Sequence, residues 1–299
     1  MSAPLSIPLL LAMAFAPAVA RADAVQVLDV VILGESRVAG KKVGEFSALV
    51  FDQGRQSLYA ISDRGYIATL KVELSGDRLA RVDVTALHVL TGPDGTPMPA
   101  GTFNPEAAAM LPDGSIAIVD EAAARLAVFD ASGQWLRDDV LPEAVRDVAM
   151  QASDKDGIEA LAWTPVTGFV AMTEEPQLGQ RRKTHIAHSA QATPWVIDAS
   201  ETDAVSIKAM ESVGDRFFVL ERTRDSQTDA MTPYLRILDR ADCQAAATCT
   251  GRRLSIDLGD LVDADFEGLV HLGNGRFLMV SDDKIDGDLR SVFVLFTIP

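Results

Sequence analysis

Apolar and polar positions follow one another along this chain in a motif that recurs five times. Each copy has a short apolar segment, a tight turn and a second apolar segment that closes beside an acidic residue, a pattern typical of a β-hairpin. The clearest copy begins at Glu267 and ends at Asp282, with Asn274 and Gly275 in its turn. The copies begin at Ser47, Glu106, Glu159, Lys208 and Glu267.

The spacing of the copies predicts the fold. Successive copies begin 59, 53, 49 and 59 residues apart, which is the period of a four-stranded propeller blade. We therefore predict an all-β fold, a single β-propeller of five four-stranded blades. Residues 25–33 read as a strand without a hairpin of its own, so we expect them to pair with 291–296 and close the ring. A six-bladed ring is the alternative, since 66–90 has room for further strands.

The hairpins bring acidic residues together. In an antiparallel pair, the residue that opens the first strand lies beside the residue that closes the second. The residues so paired, 15 positions apart, are Glu106 with Glu121, Glu159 with Glu174, and Glu267 with Asp282. We predict that they meet on one rim near the propeller axis. The candidate metal ligands are Asp63, Glu106, Glu121, Glu159, Glu174, Glu221, Glu267 and Asp282.

Carboxylates crowded in this way repel one another, so either their pKa values rise or cations occupy the site. Hard oxygen ligands suit Ca²⁺ best, with Mg²⁺ or Mn²⁺ behind it. The alternative is structural: each acid would accept hydrogen bonds from nearby backbone N–H groups and join blade to blade. We favour cation binding for the rim as a whole, and both interpretations stay open for each single acid.

The two ends of the chain and its cysteines indicate export. Residues 1–22 are typical of a signal peptide, with an apolar run over 5–20 and small residues after it. Residues 23–299 then form the propeller, which we expect to be secreted or periplasmic, monomeric and without a membrane span. Cys243 and Cys249 are the only cysteines, six positions apart in a polar turn. In an exported protein this spacing favours a small surface disulfide.

Charge limits the choice of partner. The chain has 27 Lys and Arg against 43 Asp and Glu, a net charge of −16, which disfavours nucleic acid and anionic membranes. A small anionic molecule bridged through a metal fits better. Motifs for serine nucleophile elbows, Walker loops, dinucleotide binding and zinc proteases are absent from the sequence.

Several short motifs together resemble one family. They are Ser62-Asp63-Arg64-Gly65, Asn104-Pro105-Glu106-Ala107, Gly157-Ile158-Glu159-Ala160-Leu161, Thr173-Glu174-Glu175, Phe266-Glu267-Gly268-Leu269 and Ser281-Asp282-Asp283. They look like the phytase-like domain family, also called "esterase-like activity of phytase", over about 45–296. The chain departs from the family pattern in having Ala107 and Ala160 where Gly is favoured, and Lys208 where an acid is expected.

The resemblance implies a secreted propeller that hydrolyses phosphoesters. In this hypothesis a metal at the rim polarises the substrate and activates water, and a spare carboxylate accepts the proton. The residues assigned to catalysis are Glu159 and Glu267, with Arg64, Lys208 and Arg222 countering the anionic substrate. The alternative function is a non-catalytic propeller that binds a small ligand or a protein partner at the same rim.

Overall fold

The structure is a computed structural model that describes residues 24–299, apart from 35, 100, 154–155, 182, 200–203, 260–263, 283 and 286–287. The predicted signal peptide, 1–22, lies outside the described residues. No helix in the described part of the chain is long and apolar enough to cross a membrane.

Strands make up most of the described chain. The first eleven are β1 Gln26–Leu33, β2 Ser36–Val38, β3 Lys41–Val43, β4 Phe46–Asp52, β5 Ser57–Ser62, β6 Tyr66–Ser75, β7 Arg78–Val89, β8 Pro105–Met110, β9 Ile116–Asp120, β10 Arg125–Phe129 and β11 Trp135–Asp139. Helix α1, Glu143–Arg146, and a 3₁₀ turn, Val148–Met150, follow. The next seven strands are β12 Ile158–Thr164, β13 Gly168–Thr173, β14 Thr184–Ser189, β15 Trp195–Asp198, β16 Val205–Val213, β17 Arg216–Arg224 and β18 Met231–Asp239. After helix α2, Arg240–Ala245, come β19 Arg252–Ser255, β20 Phe266–Gly273, β21 Arg276–Ser281, β22 Lys284–Ile285, β23 Asp288–Leu289 and β24 Ser291–Thr297.

The described strands form five four-stranded antiparallel blades, which confirms the predicted propeller. Blades one to four are β4–β7, β8–β11, β12–β15 and β16–β19 in chain order. Blade five has the order β1-β24-β21-β20, and Leu33 pairs with Ser291 at one end of the closing ladder. The predicted closure by the N-terminal strand is therefore confirmed.

The six-bladed alternative is wrong because 66–90 holds only the third and fourth strands of blade one. These strands, β6 and β7, are 10 and 12 residues long. Their hairpin extends beyond the blade, and its tip, from Glu73 to Arg78, is exposed. Residues 66–90, which suggested additional strands, instead form one long hairpin.

Apolar side chains form five clusters, each between two neighbouring blades. One cluster, for instance, combines Val170 and Ile197 of blade three with Val219 and Leu238 of blade four. The other clusters lie between blades four and five, five and one, two and three, and one and two. Because each blade buries both faces, strands such as β9 are apolar at nearly every position instead of alternating. The core therefore lies mainly between the blades, in a ring around the axis.

Cys243 and Cys249 form the predicted disulfide. The expectation of a surface position is wrong, since both cysteines are buried among apolar residues of blades three and four. Cys243 lies in α2, whose first turn is capped by Asp239, and the backbone N–H of Cys249 donates to the carbonyl of Val196 over 2.7 Å. The disulfide thus holds α2 against blade three.

Candidate functional site

A β-bulge interrupts the innermost strand of every blade near its start. In β8 the register shifts between Pro105 and Ala107, so Glu106 has no partner across the ladder. A bulge re-aims the side chain of the extra residue. The five residues so placed are Ser47, Glu106, Glu159, Lys208 and Glu267, called here the inner ring. They are the residues at which the five copies of the sequence motif begin.

The second strand of each blade adds one residue beside the bulge. The backbone N–H of Glu174 donates to the carbonyl of Gly157 over 2.8 Å, and that of Asp282 donates to Asp265 over 2.9 Å. Asp63 and Glu121 make the same bond, and Arg222 pairs in register with Ser206. These five residues, called the outer ring, are Asp63, Glu121, Glu174, Arg222 and Asp282. The two rings together form the axial centre.

The structure places Glu221 outside the axial centre, contrary to the sequence expectation. Glu221 pairs with Ile207, the register position of Ser62, Thr173 and their equivalents in the other blades. Because successive side chains of a strand point to opposite faces, Arg222 takes the position facing the axis. The carboxylate of Glu221 is fully buried and pairs with Arg236 and, over 2.8 Å, with Arg253. Glu221 is a structural ion-pair partner within blade four.

One side of the axial centre holds a buried lysine among three carboxylates. Lys208 is 2% exposed, and its Nζ lies 2.9 Å from Glu267, 3.0 Å from Glu174 and 3.5 Å from Glu159. Burial lowers the pKa of Lys208, but the three carboxylates outweigh it and hold the pKa well above the ordinary value. These four residues are called the lysine arc. It joins blades three, four and five through a single ammonium group.

Arg222 extends the lysine arc outward. Its guanidinium lies 2.9 Å from Glu174 and pairs with Asp265 as well. Burial lowers the pKa of Arg222, but the charges of Asp265 and Glu174 outweigh it and raise the pKa above its ordinary value. Lys208 and Arg222 are therefore both engaged by carboxylates of the chain itself.

The opposite side of the axial centre carries three acids without a basic counter-ion. This open arc consists of Asp63, Glu106 and Asp282, and the ion pairs of the described residues include none of them. Oδ1 of Asp63 and Oδ1 of Asp282 are buried without a hydrogen-bond partner. Arg64, the nearest basic residue in the chain, pairs with Glu45 instead.

The pKa values of the open arc follow from this arrangement. Burial, and next the charge of Glu45, raises the pKa of Asp63 to about 7. Burial, and next the charge of Glu267, raises the pKa of Glu106 and that of Asp282 to about 9. Glu106 and Asp282 therefore hold protons at neutral pH, whereas Asp63, whose pKa the nearby Arg64 lowers in part, is about half protonated. The raised pKa values thus result from burial and from mutual repulsion of the acids.

Glu121 has the structural role that we considered for each acid, accepting hydrogen bonds that join two blades. Its Oε1 accepts the backbone N–H of Gly157 over 2.8 Å, and its Oε2 accepts from Asn104 over 3.0 Å. A Cβ on Gly157 would lie 2.3 Å from Cγ of Glu121, so only glycine fits there. Glu121 therefore connects blade two to blade three.

The donor atoms of the open arc are of the type that a hard cation binds, but its side chains stand too far apart to hold one as they are placed. Its donors are carboxylate oxygens, the type that Ca²⁺ takes, and two of them are buried without partners. Among the residues described, however, no three acidic, His or Cys side chains stand close enough together to hold an ion. Side chains that repel one another would have to move together around a cation.

Two residues of the site escaped the sequence analysis. Glu45 and Asp265 lie two positions before the inner-ring residues Ser47 and Glu267, and they bind Arg64 and Arg222. Glu45 adopts a left-handed backbone conformation, with φ of 53°, which is uncommon outside glycine. Their fixed spacing from the inner ring is the signal that could have identified them.

A family comparison agrees with the geometry. The model of the phytase-like family, "esterase-like activity of phytase", matches residues 41–284. The chain belongs to this family. Its resemblance to the family, found in the sequence motifs, is thereby confirmed. The match spans all ten residues of the axial centre in this phytase-like chain. No curated protein matches it at a significant level.

Solved structures with partly similar backbones differ widely in sequence from this phytase-like propeller. A family AA12 carbohydrate-active enzyme of Trichoderma reesei, described as a calcium structure, is 11% identical, with TM-score 0.48 and coverage of 92% of this chain and 97% of that one. A PQQ-bound aldose sugar dehydrogenase of Streptomyces coelicolor is 9% identical, with TM-score 0.47 and coverage of 91% and 99%. At these values the likenesses carry no argument about function.

Proposed function

We propose that the open arc binds a divalent cation, Ca²⁺ before Mg²⁺ or Mn²⁺, and that the protein hydrolyses a phosphoester there. The observation that supports the cation is the pair of buried, unpartnered oxygens on Asp63 and Asp282, beside a third carboxyl, Glu106, that also lacks a counter-ion. Across the axis, the same backbone position carries Lys208, whose ammonium offsets part of the charge of three carboxylates. A bound cation would offset the charge of the open arc in the same way.

The chain supplies groups for the reaction around this site. A bound cation would polarise a phosphoryl oxygen and lower the pKa of water. Glu159 is the candidate proton acceptor: its Oε2 is buried without a hydrogen-bond partner, and burial raises the pKa of its carboxyl well above the ordinary value, the direction that a general base needs. Lys208 stays charged and holds Glu159 and Glu267 in place.

A cavity beside the axial centre offers room for the substrate. It has a volume of about 520 Å³ and is lined by Arg222, Arg224, Gln177 and Gln180, among others. Arg222 contacts the lysine arc from this cavity, so an anion bound there would lie next to the axial centre. Guanidinium groups suit phosphate because they donate two hydrogen bonds from one plane.

A second candidate is a propeller that binds a cation and an anionic ligand without chemistry. The pairing of Lys208 and Arg222 with carboxylates of the chain favours it, since these cations are already compensated. Arg64 is likewise engaged by Glu45. If the protein is such a binding protein, Arg64, Lys208 and Arg222 contribute little to balancing the charge of an anionic ligand.

Export and a monomeric state belong to the same proposal. The buried disulfide between Cys243 and Cys249 supports folding in an oxidising compartment. A secreted or periplasmic location would also provide Ca²⁺. The expected product is a mature chain that begins close to residue 23.

A screen of the purified mature chain tests the function. The substrates are phytate, simple phosphomonoesters, phosphodiesters and carboxylic esters, each with Ca²⁺, Mg²⁺, Mn²⁺ or EDTA. We expect phosphoester turnover that chelation abolishes and that Glu106→Gln lowers strongly, while Glu121→Gln retains it. Absence of turnover on every substrate, with calcium still raising the melting temperature, would leave the binding protein as the function.

A further inference from the structure

A second cavity opens on the axis at the mouth opposite the axial centre. Inner-ring residues lie near the starts of the innermost strands, whereas this cavity is lined by residues farther along the same strands, from all five blades. Its volume is about 500 Å³, within the range of small-molecule sites. Representative lining residues are Phe51, Met110, Trp163, Glu211 and His271.

An apolar layer separates this cavity from the axial centre. Leu49, Leu161, Met210 and Leu269 are all buried at the intervening level of the axis. The void among them measures about 10 Å³, no more than one water needs. A ligand in the larger cavity would therefore not contact an ion at the open arc.

Glu211 is the only acidic side chain among the described residues that line the cavity. Its Oε1 accepts the backbone N–H of Ser212 over 3.0 Å, and the backbone of His271 in the next blade also donates to its carboxylate. These bonds fix the carboxylate in one position. Burial still raises the pKa of Glu211 to about 7, so the group is substantially ionised near neutral pH.

No other charge in the cavity balances Glu211. The lining residues include no Lys or Arg, as far as the chain is described, and burial lowers the pKa of His271, which keeps that ring neutral at pH 7 and above. The wall also includes the aromatic residues Phe51 and Trp163, although it presents more polar than apolar surface to the cavity. An anionic ligand would be repelled by the unpaired Glu211 carboxylate, and a neutral ligand would remove water from that carboxylate without pairing its charge.

We propose that this cavity binds a small organic cation, an amine or quaternary ammonium on an aromatic or aliphatic body. The ammonium group pairs with the Glu211 carboxylate, and the apolar body packs against Trp163 and Phe51. An aromatic face attracts a cation as well as apolar carbon, so Trp163 contributes to both parts of the ligand. The site is independent of the function proposed for the axial centre.

Calorimetric titration of the mature chain at pH 8 tests this with three probes that share an indole ring. Tryptamine is cationic, tryptophol is neutral and indole-3-acetate is anionic. We expect tryptamine to bind about tenfold more tightly than tryptophol, since a hydrogen bond to a charged group is worth a factor of that order. Indole-3-acetate should not saturate the protein. Equal affinities for tryptamine and tryptophol, or no binding of either, would overturn the proposal.

Two matched variants locate the site. Glu211→Gln keeps the shape of the side chain but removes its charge, so it should reduce the affinity for tryptamine to that for tryptophol. Glu106→Gln, at the other mouth, should leave the affinity for tryptamine unchanged. If Glu211→Gln does not fold, the three probes still decide on the native chain, because a preference for indole-3-acetate would contradict a carboxylate-based site. Loss of tryptamine binding in Glu106→Gln alone would place the amine at the axial centre and overturn the proposal.

Discussion

The lysine arc and the open arc are two solutions of one backbone geometry. Every innermost strand has a bulge at the same level, and only the residue on the bulge differs. Where it is Lys208, three carboxylates share one buried ammonium. Where it is Glu106, the neighbours Asp63 and Asp282 add further acid and no base. The bulge thus determines where the side chain lies, while the side chain determines whether the neighbouring carboxylates have a basic partner within the chain.

The largest expected effect comes from removing the built-in cation. Lys208→Met should lower the free energy of unfolding by about 3–5 kcal/mol at pH 8, because it leaves buried carboxylates without their partner. Urea denaturation measures the loss. Lys71→Met, in an exposed pair with Glu73, is the control and should have no measurable effect. A loss in Lys208→Met no larger than in the control would show that the lysine arc does not depend on its ammonium.

The open arc should respond to pH in the absence of divalent cations. Asp63, Glu106 and Asp282 bind protons more tightly in the folded chain, with pKa values of about 7, 9 and 9. Below the unfolded pKa values near 4, both states are protonated and the stabilisation is complete. As pH rises from about 4 to 9 the folded state retains protons that the unfolded state loses, so the free energy of unfolding falls.

Urea denaturation in EDTA at several pH values checks this slope. We expect a decrease of several kcal/mol between pH 5 and pH 9, to which each of the three acids contributes. Asp282→Asn, which cannot ionise, should make the decrease smaller. A free energy of unfolding that increases over this range would mean that the acids are already compensated.

Calcium should act on one arc only. It should raise the melting temperature of the native chain at pH 8, since a ligand that binds only the folded state stabilises it. The increase should disappear in Glu106→Gln and persist in Glu121→Gln, whose carboxylate serves Gly157 and Asn104. Equal calcium responses in these two variants would remove the distinction between the open arc and the structural acid.

The smallest expected effect concerns Arg64. Arg64→Ala leaves Glu45 beside Asp63 without its guanidinium, and the side chain of Arg64 is 37% exposed. We expect a loss of unfolding free energy of about 1 kcal/mol or less in EDTA. With calcium the loss should be smaller still, because the cation would offset the added repulsion. A large loss that calcium leaves unchanged would assign Arg64 to the structure alone.

Much of the fold was predictable because the hairpins recur at a regular interval along the sequence, and that interval can be read from the sequence alone. The interval between motif copies gave the blade count, and the lone strand at 25–33 indicated how the ring closes. The recurring inner-ring positions, from Ser47 to Glu267, also follow from the motif alone. These features depend on neighbours in sequence, which one chain displays directly.

The remaining features depend on register and on contact between blades. Glu221 closes an apolar run like the other acids, but blade four places Arg222, 14 positions after Lys208, on the axis. The ion pairs of Lys208 join three blades and cannot be inferred from the spacing within any of them. Burial of Cys243 likewise results from the packing of α2 between blades. Composition and local pattern carry no signal for these arrangements.

The most direct test of the account is a calorimetric calcium titration of the mature chain at pH 8, run in two buffers with different ionisation enthalpies. We predict one calcium site per chain and release of protons on binding, because the pKa values of Glu106 and Asp282 are about 9 before the cation binds. The Glu106→Gln and Asp282→Asn variants should lose the site, and Glu121→Gln should keep it. Absence of calcium binding, or binding of equal strength in all four proteins without proton release, would contradict the claim that the open arc is a cation site.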